Sequence, residues 1–252
     1  MVLSRRKKLI IVFLVFYWST LFVLAHIPIP HLVREVGVSD KTLHFLSYLI
    51  LVFLFWSAIA SSEKVNWRKA SAWWVLLVTV SYGAIDELLQ NYGVGRSCDI
   101  MDFFADLAAV LTGLILLSVL TFWPALLVLA GIAIFGLTNI ARANLADQLP
   151  VTNTMFHVSA YGFFTLIWLQ NLRLFLRSKP AKPTWIVLAL SIPIGFLLAV
   201  KFFSAILGKD FIIRDVIISA AAIAAVIVVY LLVTSLFCRK QAKTETLSPF
   251  DS

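Results

Sequence analysis

Ionisable side chains stand out in this sequence because most of it is apolar. His44 opens one apolar run. Asp86, Glu87 and Gln90 close another, Arg96 lies in the connection, and Asp99, Asp102 and Asp106 open a third. Three chemistries suit these groups. Two or three carboxylates with His44 can hold a hard divalent cation through oxygen ligands. His44 or Glu87 can act as a general base, tuned by partial burial. Arg96 can clamp a phosphate or carboxylate with its planar fork. A purely structural reading stands beside these: Arg96 neutralises Asp102, and the cluster is an ion-pair network that fixes helix register.

Spacing groups the side chains further. Asp86 and Gln90 are four apart and share a helix face, as do His44 and Tyr48. Asp99, Asp102 and Asp106 form one stripe of a helix. Tyr92-Gly93-Val94-Gly95-Arg96 reads as a tight turn that returns Arg96 over the carboxylates.

The elements that position these groups must be membrane helices. The 252 residues are 61% hydrophobic and 13% charged, with a mean hydropathy of +0.95. Soluble domains run about 45–50% apolar and about 25% charged, so a soluble domain and a disordered chain are both excluded. The sequence predicts an all-α, polytopic transmembrane bundle of eight spans. They cover residues 9–26, 42–60, 72–91, 101–121, 122–140, 154–171, 184–203 and 212–237. The first run follows Arg5, Arg6, Lys7 and Lys8 as a signal peptide would. It is long for one, and His26-Ile27-Pro28 is a poor cleavage site, so it reads as a retained helix.

Basic residues give the expected orientation. With a cytoplasmic N-terminus, 14 of the 21 Lys and Arg fall inside and 7, Lys201 among them, outside or at outer helix ends, so both termini are expected in the cytoplasm. This also accounts for the net charge of +8 without a nucleic-acid partner. Cys98 then lies outside and Cys238 inside, where they cannot pair. Every member of the cluster falls at the extracytoplasmic end of its span, most within about 10 Å of the interface. Ionisable groups inside membrane helices cost roughly 2.5–3.5 kcal/mol each on insertion scales and point to function.

The two halves align at a constant offset of 113 residues. His44-x-x-x-Tyr48 maps onto His157-x-x-x-Tyr161, Gly95-Arg96 onto Gly208-Lys209, and Asp102 onto Asp215. The expected architecture is therefore a 4+4 parallel repeat. A four-helix domain over 1–121 carries the site, a degenerate copy spans 122–238, and a disordered cytoplasmic tail follows over 239–252. The copy loses most carboxylates: Asp86-Glu87 maps onto Ala199-Val200, Gln90 onto Phe203 and Asp106 onto Ser219. His157 reads as a satisfied core histidine, and Asp215 as a local ion pair with Arg214 and Lys209. His26 and His31, around Pro28 and Pro30, read as an outer loop.

The series Asp40-Lys41-x-x-His44-Phe45-x-x-Tyr48, Asp86-Glu87-x-x-Gln90 and Arg96-x-x-Asp99-x-x-Asp102-x-x-x-Asp106, with Gly113 later, resembles the VanZ-like family over residues 1–120. The resemblance implies a bacterial integral membrane protein of the inner membrane, in a group named after an accessory protein of glycopeptide (teicoplanin) resistance. It brings no catalytic mechanism. That family usually has Asn where this chain has Asp106, which adds an acid.

The leading functional reading is an enzyme or binding site for a cell-envelope amphiphile, lipid-linked or phosphate-bearing, at the outer leaflet. His44, Asp86, Glu87, Asp102 and Asp106 would be catalytic or metal-binding. Lys41, Tyr48, Gln90, Arg96 and Asp99 would bind substrate. The alternatives are a non-catalytic scaffold or resistance accessory protein, and a transporter. The transporter ranks last because the midplane stretches are nearly free of charge, whereas transporter sites usually lie there.

Overall fold

The computed structural model describes residues 4–27, 39–60, 63–92, 98–139, 150–176, 183–209 and 211–246. Among them are eight α-helices and no strand. We number them α1 (Arg5–His26), α2 (Asp40–Ala60), α3 (Ala70–Gln90), α4 (Ile100–Val119), α5 (Phe122–Asn139), α6 (Pro150–Phe175), α7 (Pro183–Ile206) and α8 (Ile213–Thr246).

All but α6 are long and apolar enough to cross a membrane. Eight helices thus stand where about eight spans are expected, and seven of them meet this test among the described residues. Helix α6 has 26 residues, but Asn153, His157, Gln170, Asn171 and Arg173 lower its hydropathy. Large apolar side chains such as Phe13, Phe16, Trp73 and Trp74 are turned outward, as a lipid surround requires. The chain is a multi-pass membrane protein.

The helices form two compact units, α1–α5 and α6–α8. In the first, α2 is central and packs most extensively on α4, with α1, α3 and α5 also against it. Close approach of α2 and α4 depends on Gly113, where an added Cβ would overlap Val52 Cγ1. Leu49, Leu51, Val52, Val75, Val110 and Leu114 fill the space between these helices.

Contacts at the helix ends fix the direction of each helix. Lys7 Nζ at the start of α1 donates to the Ile59 carbonyl at the end of α2 (3.1 Å), so these two run antiparallel. Val65, before α3, donates its N–H to the Leu117 carbonyl near the end of α4 (2.9 Å). Arg6 stacks over the Phe122 ring at 4.2 Å. The end of the unit that holds Arg5–Lys8, Lys64, Arg68 and Lys69 thus holds the starts of α1, α3 and α5 and the ends of α2 and α4. The opposite end holds the starts of α2 and α4 and the ends of α1 and α3. His44, Asp86, Glu87, Asp102 and Asp106 all lie at that opposite end.

The second unit packs α6 on α8, with α7 against both. Gly208, at φ 72°, ends α7 in the left-handed conformation that favours glycine. Helix α8 continues to Thr246, past Arg239 where the sequence places the start of the tail. Arg239, Lys240, Gln241, Ala242 and Lys243 are all good helix formers, which accounts for the extension.

Candidate functional site

Three helices supply the site. Asp99 terminates the chain's approach to α4 by capping it, its Oδ1 accepting the Met101 N–H at 2.9 Å. Asp102 and Asp106 follow on the inward face of α4. Helix α3 delivers Asp86, Glu87 and Gln90 in its last turn, all at most 2% exposed. Helix α2 delivers Lys41 in its first turn, then His44 and Tyr48 on one face.

These groups meet. His44 Nδ1 lies 3.1 Å from Asp106 Oδ1 and 3.7 Å from Glu87 Oε1. Glu87 Oε2 accepts the backbone N–H of Asp99 at 3.1 Å, which orients its other oxygen toward the histidine. Lys41 Nζ bridges Asp99 Oδ2 (2.8 Å) and Asp102 Oδ1 (3.3 Å). Gln90 Nε2 donates to Asp86 Oδ2 at 3.1 Å. Asp102 and Asp106 are 4% and 1% exposed. Nine of the ten residues singled out in the sequence therefore sit in one layer. The tenth, Arg96, lies outside the described residues.

The placement of Asp99 corrects the expected stripe. It precedes the helix, its side chain is 41% exposed, and only Asp102 and Asp106 face inward from α4. A helix start needs an acceptor for its free N–H groups, and Asp99 fills that role. The Lys41 ammonium and the Met101 N–H hold the Asp99 carboxyl below the usual aspartate range.

Several buried polar atoms in this layer have no hydrogen-bond partner among the described residues: Asp86 Oδ1, Glu87 Oε1, Asp106 Oδ2 and the hydroxyls of Tyr48 and Tyr82. A buried carboxylate oxygen left unpaired is costly, by about 1–3 kcal/mol or more. So many in one layer is a departure from ordinary core design. His44, Glu87 and Asp106 each offer a ligand atom within 4.8 Å of the others, and Asp40, His44 and Asp102 form a second such group.

Three contributors were not identified from sequence. Tyr82 stacks on Tyr48, ring centroids 5.8 Å apart, and roofs the carboxylates from α3. Gly83 makes room for Asp106, whose Oδ2 would be 3.2 Å from an added Cβ. Both occupy the α3 face one turn before Asp86 and Glu87, which is the signal that could have found them. His26 ends α1 with its Nδ1 3.9 Å from Asp86 Oδ1, so it faces the layer rather than a loop; His31 lies outside the described residues.

The second unit carries a smaller cluster. His157 Nδ1 lies 3.0 Å from Ser219 Oγ, and its Nε2 lies 3.4 Å from Asp215 Oδ2. His157 is a satisfied core histidine. Asp215 is a correction: it does not rest on local Arg214 and Lys209. Its buried carboxylate accepts from Asn153 Nδ2 at 2.9 Å and pairs with Lys201 Nζ at 3.4 Å. Lys201, on α7, is 8% exposed and was placed at an outer helix end by the sequence. A lysine inside a run as apolar as 184–203 needs a buried partner, and Asp215 is that partner.

Residues 4–122 match the family model described as VanZ/LLP1, a stretch that contains the whole first-unit cluster. Comparisons with curated proteins and with solved structures give no match.

Proposed function

We propose, on the premise that the first half of the chain belongs to the VanZ/LLP1 family, that its polar layer is an outward-facing working site for a cell-envelope amphiphile with an anionic head group. The observation that carries the reading is the set of buried carboxylate oxygens around His44 that have no hydrogen-bond partner among the described residues, at the end of the unit opposite Arg5–Lys8, Lys64, Arg68 and Lys69. In this reading His44 accepts or delivers a proton. Asp106 holds the imidazole, and Glu87, itself held by the Asp99 N–H, is the second acid–base group. Asp86 and Asp102 complete the acidic floor. Lys41 and Arg96 meet the anionic head group, with Tyr48, Gln90 and Asp99 beside it.

The basic end faces the cytoplasm in this reading, which puts both termini inside and the site under the outer surface of the bacterial inner membrane. The natural substrates are lipid-linked or phosphate-bearing envelope precursors. Through the family, this fits a part in glycopeptide (teicoplanin) resistance. The second half is read as a degenerate copy, a domain over 122–238 after one over 1–121. Its support is that His157 and Ser219 meet at the same sequence separation, 62, as His44 and Asp106.

A scaffold reading is favoured by one observation: Lys41–Asp102 and His44–Asp106 both tie α2 to α4. The experiment that separates the two is binding of a polyprenyl phosphate to the purified full-length protein and to Glu87→Gln. The working-site reading expects at least tenfold weaker binding with an unchanged melting temperature. The scaffold reading expects no polyprenyl phosphate binding to depend on Glu87.

A further inference from the structure

We infer that His44, Glu87 and Asp106 hold one divalent transition-metal cation through His44 Nδ1 and one oxygen from each carboxylate. This rests on the reading of the layer as a working site, and it names the cofactor of that site.

Geometry is the first support. The three residues come from α2, α3 and α4, and their ligand atoms lie within 4.8 Å of one another. An ion with bonds of about 2.0–2.2 Å holds neighbouring ligands about 3–4 Å apart. His44 Nδ1 stands at 3.1 Å from Asp106 Oδ1 and 3.7 Å from Glu87 Oε1, so the nitrogen already has both oxygens at that spacing.

The second support is independent of the clustering. Glu87 Oε1 and Asp106 Oδ2 are fully enclosed and have no hydrogen-bond partner among the described residues, in side chains only 3% and 2% exposed, and Glu87 Oε1 has His44 Nδ1 at 3.7 Å. Among the described residues no Lys or Arg is paired with either of them. The one lysine in the layer, Lys41, goes to Asp99 and Asp102. Buried carboxylates are normally paired or coordinate a metal.

The second unit is an internal contrast. There His157 Nδ1 faces Ser219 where His44 Nδ1 faces Asp106, and the aspartate beside its other nitrogen, Asp215, is held at 3.4 Å by a protein cation, Lys201. In the second unit the buried aspartate has a lysine on it, whereas among the described residues of the first unit Lys41 reaches Asp99 and Asp102 but not Glu87 or Asp106.

Donor chemistry selects the class of ion. One imidazole among three ligands disfavours calcium and magnesium, which take all-oxygen shells, and suits zinc or manganese. Three protein ligands leave a coordination position open, as catalytic metal sites do. A head-group phosphate oxygen or a water fits that position. The Asp99 N–H on Glu87 Oε2 is the outer contact that would orient the ligand.

The test uses full-length protein purified in detergent, stripped with EDTA and titrated separately with zinc and manganese ions, with bound metal counted by mass spectrometry. One equivalent is expected in the parent and in Glu63→Gln, whose exposed side chain lies at the opposite end of the unit. At least tenfold weaker binding is expected in Glu87→Gln, Asp106→Asn and His44→Gln, each checked for an unchanged melting temperature. Absence of a bound equivalent in the parent, or equal binding in all three folded variants, would overturn the inference. Metal binding without polyprenyl phosphate binding would keep the metal and overturn the proposed function; the reverse would overturn the metal alone.

Discussion

His44 and Asp106 meet at 3.1 Å across the α2–α4 contact, and both are buried. The same imidazole nitrogen faces Glu87 from the third helix. One histidine therefore joins three helices. Asp86 and Asp102 are buried in the same layer.

Gly113 and Gly83, both buried in the first unit, should respond differently to alanine. At Gly113 the new methyl overlaps Val52, a short β-branched side chain with no room to turn aside. Gly113→Ala should lose about 1–3 kcal/mol, the usual cost of overpacking. At Gly83 the neighbours are Asp106 Oδ2 at 3.2 Å and Tyr48 Cε1 at 3.4 Å. Gly83→Ala should melt close to the parent but bind polyprenyl phosphate several-fold more weakly, because the carboxylate is what must yield. Melting in detergent and binding on the same samples check both.

In the second unit, Lys201 and Asp215 form a buried pair. Removing one partner leaves a charge without compensation, at a cost of about 3–5 kcal/mol. Lys201→Ala should therefore lower the melting temperature sharply, and Lys201→Met with Asp215→Asn should recover much of the loss. A Lys201→Ala protein as stable as the parent would remove this pair from the account of the second unit.

Asp99 gives a pH signature. Its carboxyl is held below the usual range by Lys41 and the Met101 N–H. The stability it adds is fully present above the ordinary aspartate pKa and is lost as pH falls through the lower folded value. The side chain is exposed, so the effect is small and screened by salt. The melting difference between parent and Asp99→Asn should be present at neutral pH and vanish in acid.

Orientation can be read from Cys98, which is free, exposed and next to Asp99 at the acidic end of the unit. In a Cys238→Ser background, a membrane-impermeant maleimide should label intact spheroplasts. Labelling only after lysis would put the site on the cytoplasmic side.

Much of this was legible in the sequence because membranes restrict the options. A long apolar run can only be a helix there, and an acid inside it has few reasons to exist. His44, Glu87 and Asp106 were found that way. What was missed depends on packing. Tyr82 and Gly83 are unremarkable residue types for an apolar helix, and their role comes from the turn they share with Asp86. Lys201 looked like a helix-end cation because its partner Asp215 lies across a helix contact. Asp99 fitted the spacing of a stripe, but the helix begins one residue later. The hydropathy of α6 falls short because its polar residues face the interior of the second unit, as His157 and Asn171 do.

The most direct measurement combines stability and binding for Glu87→Gln and Asp106→Asn. Amides keep the shape and remove buried charge, so both variants should melt at or above the parent temperature while polyprenyl phosphate binding falls at least tenfold. Variants that melt well below the parent, or that melt normally and bind undiminished, would contradict a working site and leave these acids as helix fasteners.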